Sequence, residues 1–165
     1  MKNKNLINRT VVFVDLENCC GSSQLVRCFH DEVRQHITEE FGTDHVLINY
    51  STGPSCHQND EDKEILMAWQ GARFVMGRGI DGADRCLIDM MLNEPLAMRS
   101  QRVVVVSGDH IFTNAVHKLR AAGVDVTVMS RRSSLSLELE LEADRVILLP
   151  EFSLVDADPR LVTAS

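Results

Sequence analysis

The chain has 165 residues, the length of one ordinary domain, so we expect a single domain over residues 1–165 with loosely ordered ends at 1–9 and 156–165. Its 17 basic and 24 acidic residues give a formal net charge of −7, which argues against a basic coat for nucleic acid but allows a basic rim around an acidic centre. No apolar run approaches the roughly 20 residues of a spanning helix. The five cysteines include no C-x-x-C pair, which disfavours a disulfide framework and a structural zinc site. We therefore expect a cytoplasmic protein with no membrane partner.

Six apolar segments rich in β-branched residues are predicted to be strands. Two of them, at 11–14 and 103–106, are unbroken apolar runs, which is typical of strands buried on both faces in the middle of a parallel sheet. We expect these two strands to be neighbours. The six predicted strands are 10–14, 45–50, 72–76, 102–106, 124–129 and 145–149.

Helical patterns lie between the strands, with apolar residues at spacings of three and four. They cover 22–40, 60–70, 83–92 and 111–122. Alternating strands and helices predict an α/β fold whose mostly parallel sheet of five or six strands carries helices on both faces. The segment 135–142, LSLELELE, fits an edge strand or a helix packed on the sheet, and both interpretations stay open.

Acidic residues collect where a parallel sheet binds its ligands, beyond the carboxyl ends of the strands. Asp15 follows the first strand, Asp109 follows the fourth, and Asp84 opens the helix before the fourth. Helix N-termini lie on that same face, so the three carboxylates should converge and repel one another. A hard divalent cation, Mg²⁺ or Mn²⁺, relieves such repulsion. Each acid also has a structural interpretation: turn chemistry for Asp15, the helix dipole for Asp84 and a helix cap for Asp109.

Other polar residues at this face are candidate assistants. Asp89, five residues beyond Asp84 on the same predicted helix, is either a further metal ligand or a solvated helix acid. Arg78, Arg131 and Arg132 lie in predicted loops at the flanks and could hold phosphates. An acidic centre with a basic rim suits metal-assisted attack of water on a phosphodiester.

A rival motif, G-x-G-x-x-G, occurs at Gly77, Gly79 and Gly82 between a predicted strand and a helix. This is the context of a nucleotide-binding loop. Two acids count against that interpretation, because Asp81 lies inside the would-be phosphate cradle and Asp84 lies in the first helical turn. A nucleotide-binding module remains an alternative function.

The same segments resemble the NYN domains, members of the PIN-like nuclease superfamily. The resemblance is carried by VVFVDLEN at 11–18, GADRCLIDMML at 82–92 and VVVVSGDHIFTNAVHKLRAAGVDVTVMS at 103–130. It implies a three-layer PIN-like fold and a metal-dependent endoribonuclease that uses Mg²⁺ or Mn²⁺. By position, Asp15, Asp84 and Asp109 would be the metal-site acids. Asn18 would orient a ligand, and Ser107 would hydrogen-bond within the site.

The sequence departs from the family pattern at one position. Many members carry a second acid two residues after the acid of S-G-D, where this chain has Ile111, next to His110. His110 is either a substitute ligand or proton carrier, or a surface or packed histidine. The missing acid leaves a degenerate scaffold that binds RNA or a protein without cleavage as an alternative. With one Trp and one Tyr there is little surface for stacking bases, so we expect single-stranded RNA bound with little sequence preference. A homodimer or larger assembly remains possible.

Overall fold

The computed structural model describes residues 9–19, 27–54, 60–69 and 71–151. Residues 1–8 of the predicted loose end 1–9, the predicted loose end 156–165 and the start of the helix predicted at 22–40 lie outside the described residues. Among the described residues, no helix has the length and apolar character needed to cross a membrane.

Strands and helices alternate along the chain as the apolar pattern predicts. The strands are β1 (Thr10–Asp15), β2 (Val46–Thr52), β3 (Arg73–Met76), β4 (Arg102–Val106), β5 (Asp125–Arg131) and β6 (Arg145–Leu149). The helices are α1 (Leu16–Cys19), α2 (Arg27–Phe41), α3 (Asp60–Met67), α4 (Gly82–Asn93), α5 (Leu96–Arg99), α6 (Thr113–Ala121) and α7 (Leu137–Glu142), with a 3-10 turn at His110–Phe112 before α6.

The six strands form one sheet in the order β3-β2-β1-β4-β5-β6, and every neighbouring pair is parallel. The two unbroken apolar runs are confirmed as central neighbours, with Val12 of β1 opposite Val104 of β4. The strand order reverses between β1 and β4. Such a switch point opens a crevice at the carboxyl ends of the two strands, which is where ligands bind in open α/β sheets.

Two apolar clusters cover the two faces of the sheet, because successive residues of a strand point to opposite sides. On one face, Val12 and Val14 pack with Val33 and Ile37 of α2. On the other face, Val11 and Phe13 pack with α4, α6 and α7. This gives the three-layer α/β arrangement that the resemblance implies.

The segment 135–142 resolves into a short helix. The Ser136 side chain accepts a hydrogen bond from the Leu139 N–H and so caps α7. Leu139 is buried in the second cluster, whereas Leu137 and Leu141 are exposed. Alternation of apolar and polar residues over so short a segment does not distinguish an edge strand from a helix. The Ser136 cap and the burial of Leu139 favour the helix.

Strands β2 and β5 each continue two residues beyond their predicted ends, because the parallel ladder continues. Arg131 pairs with Leu149 of β6, and Ser51 pairs with Asp15 of β1 and Val75 of β3. Residues expected in loops at the carboxyl edge therefore lie in the sheet. For Arg131 this changes the predicted role, as described below.

Candidate active site

Asp15 is the last residue of β1 and lies at the switch point with only 4% of its surface exposed. Its carboxylate accepts a hydrogen bond from the Asn18 N–H at 3.2 Å and one from the Ser107 hydroxyl at 3.0 Å. Ser107 directly follows β4, so this contact joins the two central strands. Burial raises the pKa of Asp15, and the two hydrogen bonds oppose that shift without cancelling it.

Asp84 faces Asp15 from the first turn of α4, and the two carboxyl groups are hydrogen-bonded to each other. Burial raises the pKa of Asp84 to about 8, and the negative charge of Asp15 is the next cause. Asp15 also accepts the hydrogen bonds from Asn18 and Ser107, so the two carboxyl groups lie together in a partly buried cleft in which the pKa of each is raised.

Asp109 is close enough to interact electrostatically with Asp84. Its negative charge contributes to the raised pKa of Asp84, as does that of Asp81 just before α4. One oxygen of Asp109 also accepts the Ile111 N–H at 3.0 Å, so the residue does cap the 3-10 turn as the structural interpretation holds. The cap does not exclude a role in the site, because a carboxylate has several acceptor positions on its two oxygens.

The loop after β4 is shaped by Gly108. A methyl group at this position would lie 2.1 Å from the Ser134 carbonyl oxygen and 2.6 Å from the Ser130 hydroxyl, so only glycine allows the two loops to approach. The Gly108 N–H donates to the Asn18 side-chain oxygen at 2.9 Å. Asn18 therefore ties the end of β1 to the loop after β4, and this bond holds Asp15 and Asp109 at one crevice.

The missing second acid has a structural consequence. Ile111 packs against the apolar cluster of the second face, so this position supplies no ligand. His110 beside it is exposed, and its Nδ1 lies 3.0 Å from an Asp109 oxygen. The imidazole is therefore placed next to the acids, on their solvent side.

Two residues that the sequence analysis did not select help to build the site. The Glu17 carboxylate accepts a hydrogen bond from the Gly53 N–H after β2, and its charge further raises the pKa of Asp15. The buried Ser51 hydroxyl donates to the Ala83 carbonyl at 2.9 Å, which fixes the start of α4 and with it Asp84. Their place at the carboxyl ends of β1 and β2 was a usable signal for both.

The prediction that Arg131 lies in a loop and holds a phosphate is wrong, because the residue is buried. Arg131 is 1% exposed within β5, where its side chain lies under α1 and α2. Its guanidinium donates to the Pro150 and Cys19 carbonyls and to Glu32, and it lies 5.2 Å from the Phe29 ring centre. β5 continues to pair with β6 as far as Arg131. Because side chains alternate between the two faces of a sheet, the Arg131 side chain points into the helical layer on one face rather than toward solvent. It is a structural arginine.

The remaining flank residues lie at the surface. Arg132 is exposed and pairs with Glu140 at 2.8 Å, and Arg78 is exposed beyond β3. Asp89 is exposed on α4, and among the described residues it is not one of the main causes of the raised pKa of Asp15 or Asp84. Its role as a metal ligand stays a prediction.

The glycines of the rival nucleotide motif pack against each other. A side chain at Gly77 would lie 1.9 Å from the Gly82 backbone, so the turn after β3 presses directly on the start of α4. The motif also follows β3, an edge strand two positions away from the switch point. Helix packing explains Gly77 and Gly82 without a bound nucleotide.

Among the described residues, no group of three or more His, Cys, Asp or Glu side chains forms a ready metal centre. The chemistry of the donors nevertheless fits a hard cation. Asp15 and Asp84 are two carboxyl groups held together, and Mg²⁺ is commonly bound through only one or two carboxylates plus water and substrate phosphate. Asp109 contributes charge to this pair at longer range.

The parallel sheet lies between two helical layers and has an acidic crevice at its switch point. This arrangement defines a PIN-like α/β domain. The model of the NYN domain family matches residues 9–150. The chain therefore belongs to the NYN domain family, within the PIN-like nuclease superfamily.

The crystal structure of a protein of unknown function from Vibrio parahaemolyticus is similar in fold, with a TM-score of 0.67 and 15% sequence identity. The similarity covers 90% of this chain and 97% of that one. No curated protein matches the sequence.

Proposed function

We propose that this NYN domain is a metal-dependent endoribonuclease that hydrolyses phosphodiester bonds of single-stranded RNA. The observation that carries the proposal is the placement of Asp15 and Asp84 together in a partly buried cleft at the switch point, reinforced by the charge of Asp109. Acids that only stabilise a fold are normally paired with cations or dipoles. Here burial raises the pKa of both Asp15 and Asp84, and the charges of Asp15 and Asp109 raise that of Asp84 further, which is an arrangement found at functional sites.

The chain's own residues would prepare the reaction in three ways. Asp15 and Asp84, with Asp109 nearby, would hold Mg²⁺ or Mn²⁺, and Asn18 and Ser107 keep Asp15 and the loop after β4 in place. A divalent cation here would supply acidification of a water nucleophile and neutralisation of phosphate charge. Arg132 and Arg78, both exposed at the flanks, would attract the RNA backbone. His110, whose Nδ1 lies 3.0 Å from an Asp109 oxygen, would carry a proton to or from the reacting groups.

Limited base recognition follows from where the aromatic residues lie. Trp69 and Tyr50 are both buried and stack on each other with ring centres 5.7 Å apart. Neither can serve as a platform for bases. The RNA should therefore be held through its backbone, with little sequence preference.

The decisive experiment is cleavage of a labelled single-stranded RNA in Mn²⁺, in Mg²⁺ and in EDTA. We expect cleavage with either cation and none in EDTA. Full-rate cleavage in EDTA would contradict the metal mechanism. The matched Asp15→Asn protein, which keeps the shape of the buried side chain, controls for contaminating nucleases.

A non-cleaving RNA-binding scaffold is the second candidate. Two observations favour it: Ile111 occupies the position of the usual second acid, and Asp109 uses one oxygen as a helix cap. RNA binding without cleavage in either metal, by protein that melts cooperatively, would decide for the scaffold.

A further inference from the structure

A carboxylate outside the acid cluster is held in a cradle of hydrogen-bond donors. The Ser133 N–H donates to a Glu151 oxygen at 2.9 Å, and the Ser133 hydroxyl donates to the other oxygen. A backbone N–H and a hydroxyl that converge on one carboxylate in this way form a small anion-binding site. We call these two donors of Ser133 the Ser133 nest.

The charge around the nest favours an anion. The hydrogen bonds from Ser133 lower the pKa of Glu151, and the positive charge of Arg131 adds to the effect. Arg131 lies buried at the end of β5, two residues before Ser133, and its side chain is held by carbonyl groups and Glu32. The donors of the Ser133 nest therefore act together with a buried positive charge, and both favour a bound oxyanion.

The position of the nest connects it with the candidate active site. An open groove of about 400 Å³ is lined by Asn18 and Asp109 of the candidate active site together with Ser133 and Ser134. The Ser136 N–H donates to the Gly108 carbonyl at 2.9 Å, which fixes the two loops that form the groove. A strand with one phosphate at the acids can follow this groove to the nest.

Glu151 is exposed and reaches the nest from just beyond the end of β6. Rotation of this one side chain would empty the nest without disturbing the sheet. A carboxylate and a phosphodiester both present oxygen acceptors to the same donors. We infer that the Ser133 nest is a subsite for an RNA backbone phosphate next to the scissile one, and that Glu151 occupies the subsite until RNA displaces it. This inference rests on the proposed function.

The first test uses inorganic phosphate and the amide NMR signal of Ser133. In Glu151→Ala protein the signal should shift saturably with phosphate. Wild type should require at least about tenfold more phosphate, because a site that is free for only a fraction of the time binds in proportion to that fraction. Glu138→Ala, which removes the same charge from an exposed residue of α7, should behave as wild type. An unmoved Ser133 signal in Glu151→Ala would overturn the inference. The Glu151→Gln protein repeats the test with a side chain of the same size.

The second test uses single-stranded RNA in EDTA, so that no strand is cut. Glu151→Ala should bind more tightly, and its plot of log affinity against log salt should steepen by roughly 0.7, the value for one added phosphate contact. Adding Ser133→Ala to that variant should reverse part of the gain. RNA cleavage without these responses would refute the subsite and leave the nuclease proposal standing. Phosphate binding at Ser133 without RNA binding would refute the RNA subsite together with the proposed function.

Discussion

The two edges of the sheet carry charge in opposite ways. At the amino ends of β4, β5 and β6, three arginines each have a carboxylate partner: Arg120 with Asp144 at 2.8 Å, Arg145 with Glu40 at 2.9 Å and Arg102 with Asp125 at 3.7 Å. At the carboxyl ends, among the described residues, no ion pair involves Asp15 or Asp84, and these acids face each other. The charges of the amino edge are balanced within the protein, whereas those of Asp15 and Asp84 are not, which supports the proposed cation site.

The comparison also shows why cavity size is a poor guide to function here. The amino edge holds an open cavity of about 550 Å³, larger than the groove of about 400 Å³ beside Asp109. Its lining residues Arg102 and Asp125, and likewise Arg120 and Asp144, form ion pairs with each other. The unbalanced charge at the carboxyl edge, rather than the available volume, identifies the candidate site.

Replacement of single acids at the two edges should have the largest contrast. We expect Asp15→Asn and Asp84→Asn each to lower RNA cleavage by more than about 100-fold, the usual cost of removing one preorganised electrostatic group. Asp125→Asn at the amino edge removes a matched charge and should leave the cleavage rate unchanged. Rates under single-turnover conditions measure this. If Asp125→Asn lowered the cleavage rate as much as Asp15→Asn or Asp84→Asn, the carboxyl edge would not be the specific site of catalysis.

Stored repulsion at the carboxyl edge predicts a stabilising substitution. Asparagine caps helices about as well as aspartate, so Asp109→Asn should keep the cap and remove one charge facing Asp84. Above about pH 8, where Asp84 is ionised and repels Asp109, relief of about 1 kcal/mol would raise the midpoint of metal-free thermal unfolding by roughly 2–4 °C. Cleavage should be lost, and Mn²⁺ should stabilise this variant less than wild type.

The control for that experiment is Asp125→Asn, which breaks the pair with Arg102 at the amino edge. It should not be stabilised, and Mn²⁺ should stabilise it as much as wild type. If Asp109→Asn instead melts lower than wild type and responds normally to metal, Asp109 is a helix cap alone.

The raised pKa of Asp84 predicts a pH dependence of metal-free stability. Asp84 has an ordinary value of 3.8 and a pKa of about 8 in the folded protein, so between these pH values the folded state holds a proton that the unfolded state has released. The stabilisation from Asp84 is therefore complete below about pH 3.8 and is lost as the pH rises toward 8. The melting temperature of wild type minus that of Asp84→Asn should fall across this window. A constant difference would show that Asp84 does not hold the proton.

The smallest expected effect concerns the arginines at the flanks. Arg78→Ala and Arg132→Ala should each reduce the salt slope of RNA binding by roughly 0.7 if the residue contacts one phosphate. Neither should change folding, because both side chains are exposed. Arg102→Ala at the amino edge is the matched control and should leave the slope unchanged. An unaltered slope in the first two variants would place the RNA path elsewhere.

Several features of the site could be predicted from local sequence. The unbroken apolar runs identified β1 and β4 as central neighbours, and this placed Asp15 and Asp109 at one edge. Continuous burial on both faces leaves a clear signal in a single chain segment. The resemblance in VVFVDLEN and SGD agreed with the family that the comparison identifies.

Other features depend on partners that are distant in the chain. Arg131 looked like a loop residue because its neighbours are polar, but pairing with Leu149 of β6 extends the strand and turns the side chain inward. Glu17 and Ser51 acquired their roles through Gly53 and Ala83, which lie more than thirty positions along the chain. No local pattern encodes such contacts.

The sequence by itself therefore determined the alternation of strands and helices, the central pair of strands and the edge at which acids collect, because burial and periodicity are local properties of the chain. Only the tertiary structure decided that Asp84 contacts Asp15 in a partly buried cleft, that Arg131 is buried and that Glu151 reaches the Ser133 nest. Those outcomes depend on distances of a few ångströms between separate loops. Such distances are set by the packing of the whole sheet and its two helical layers.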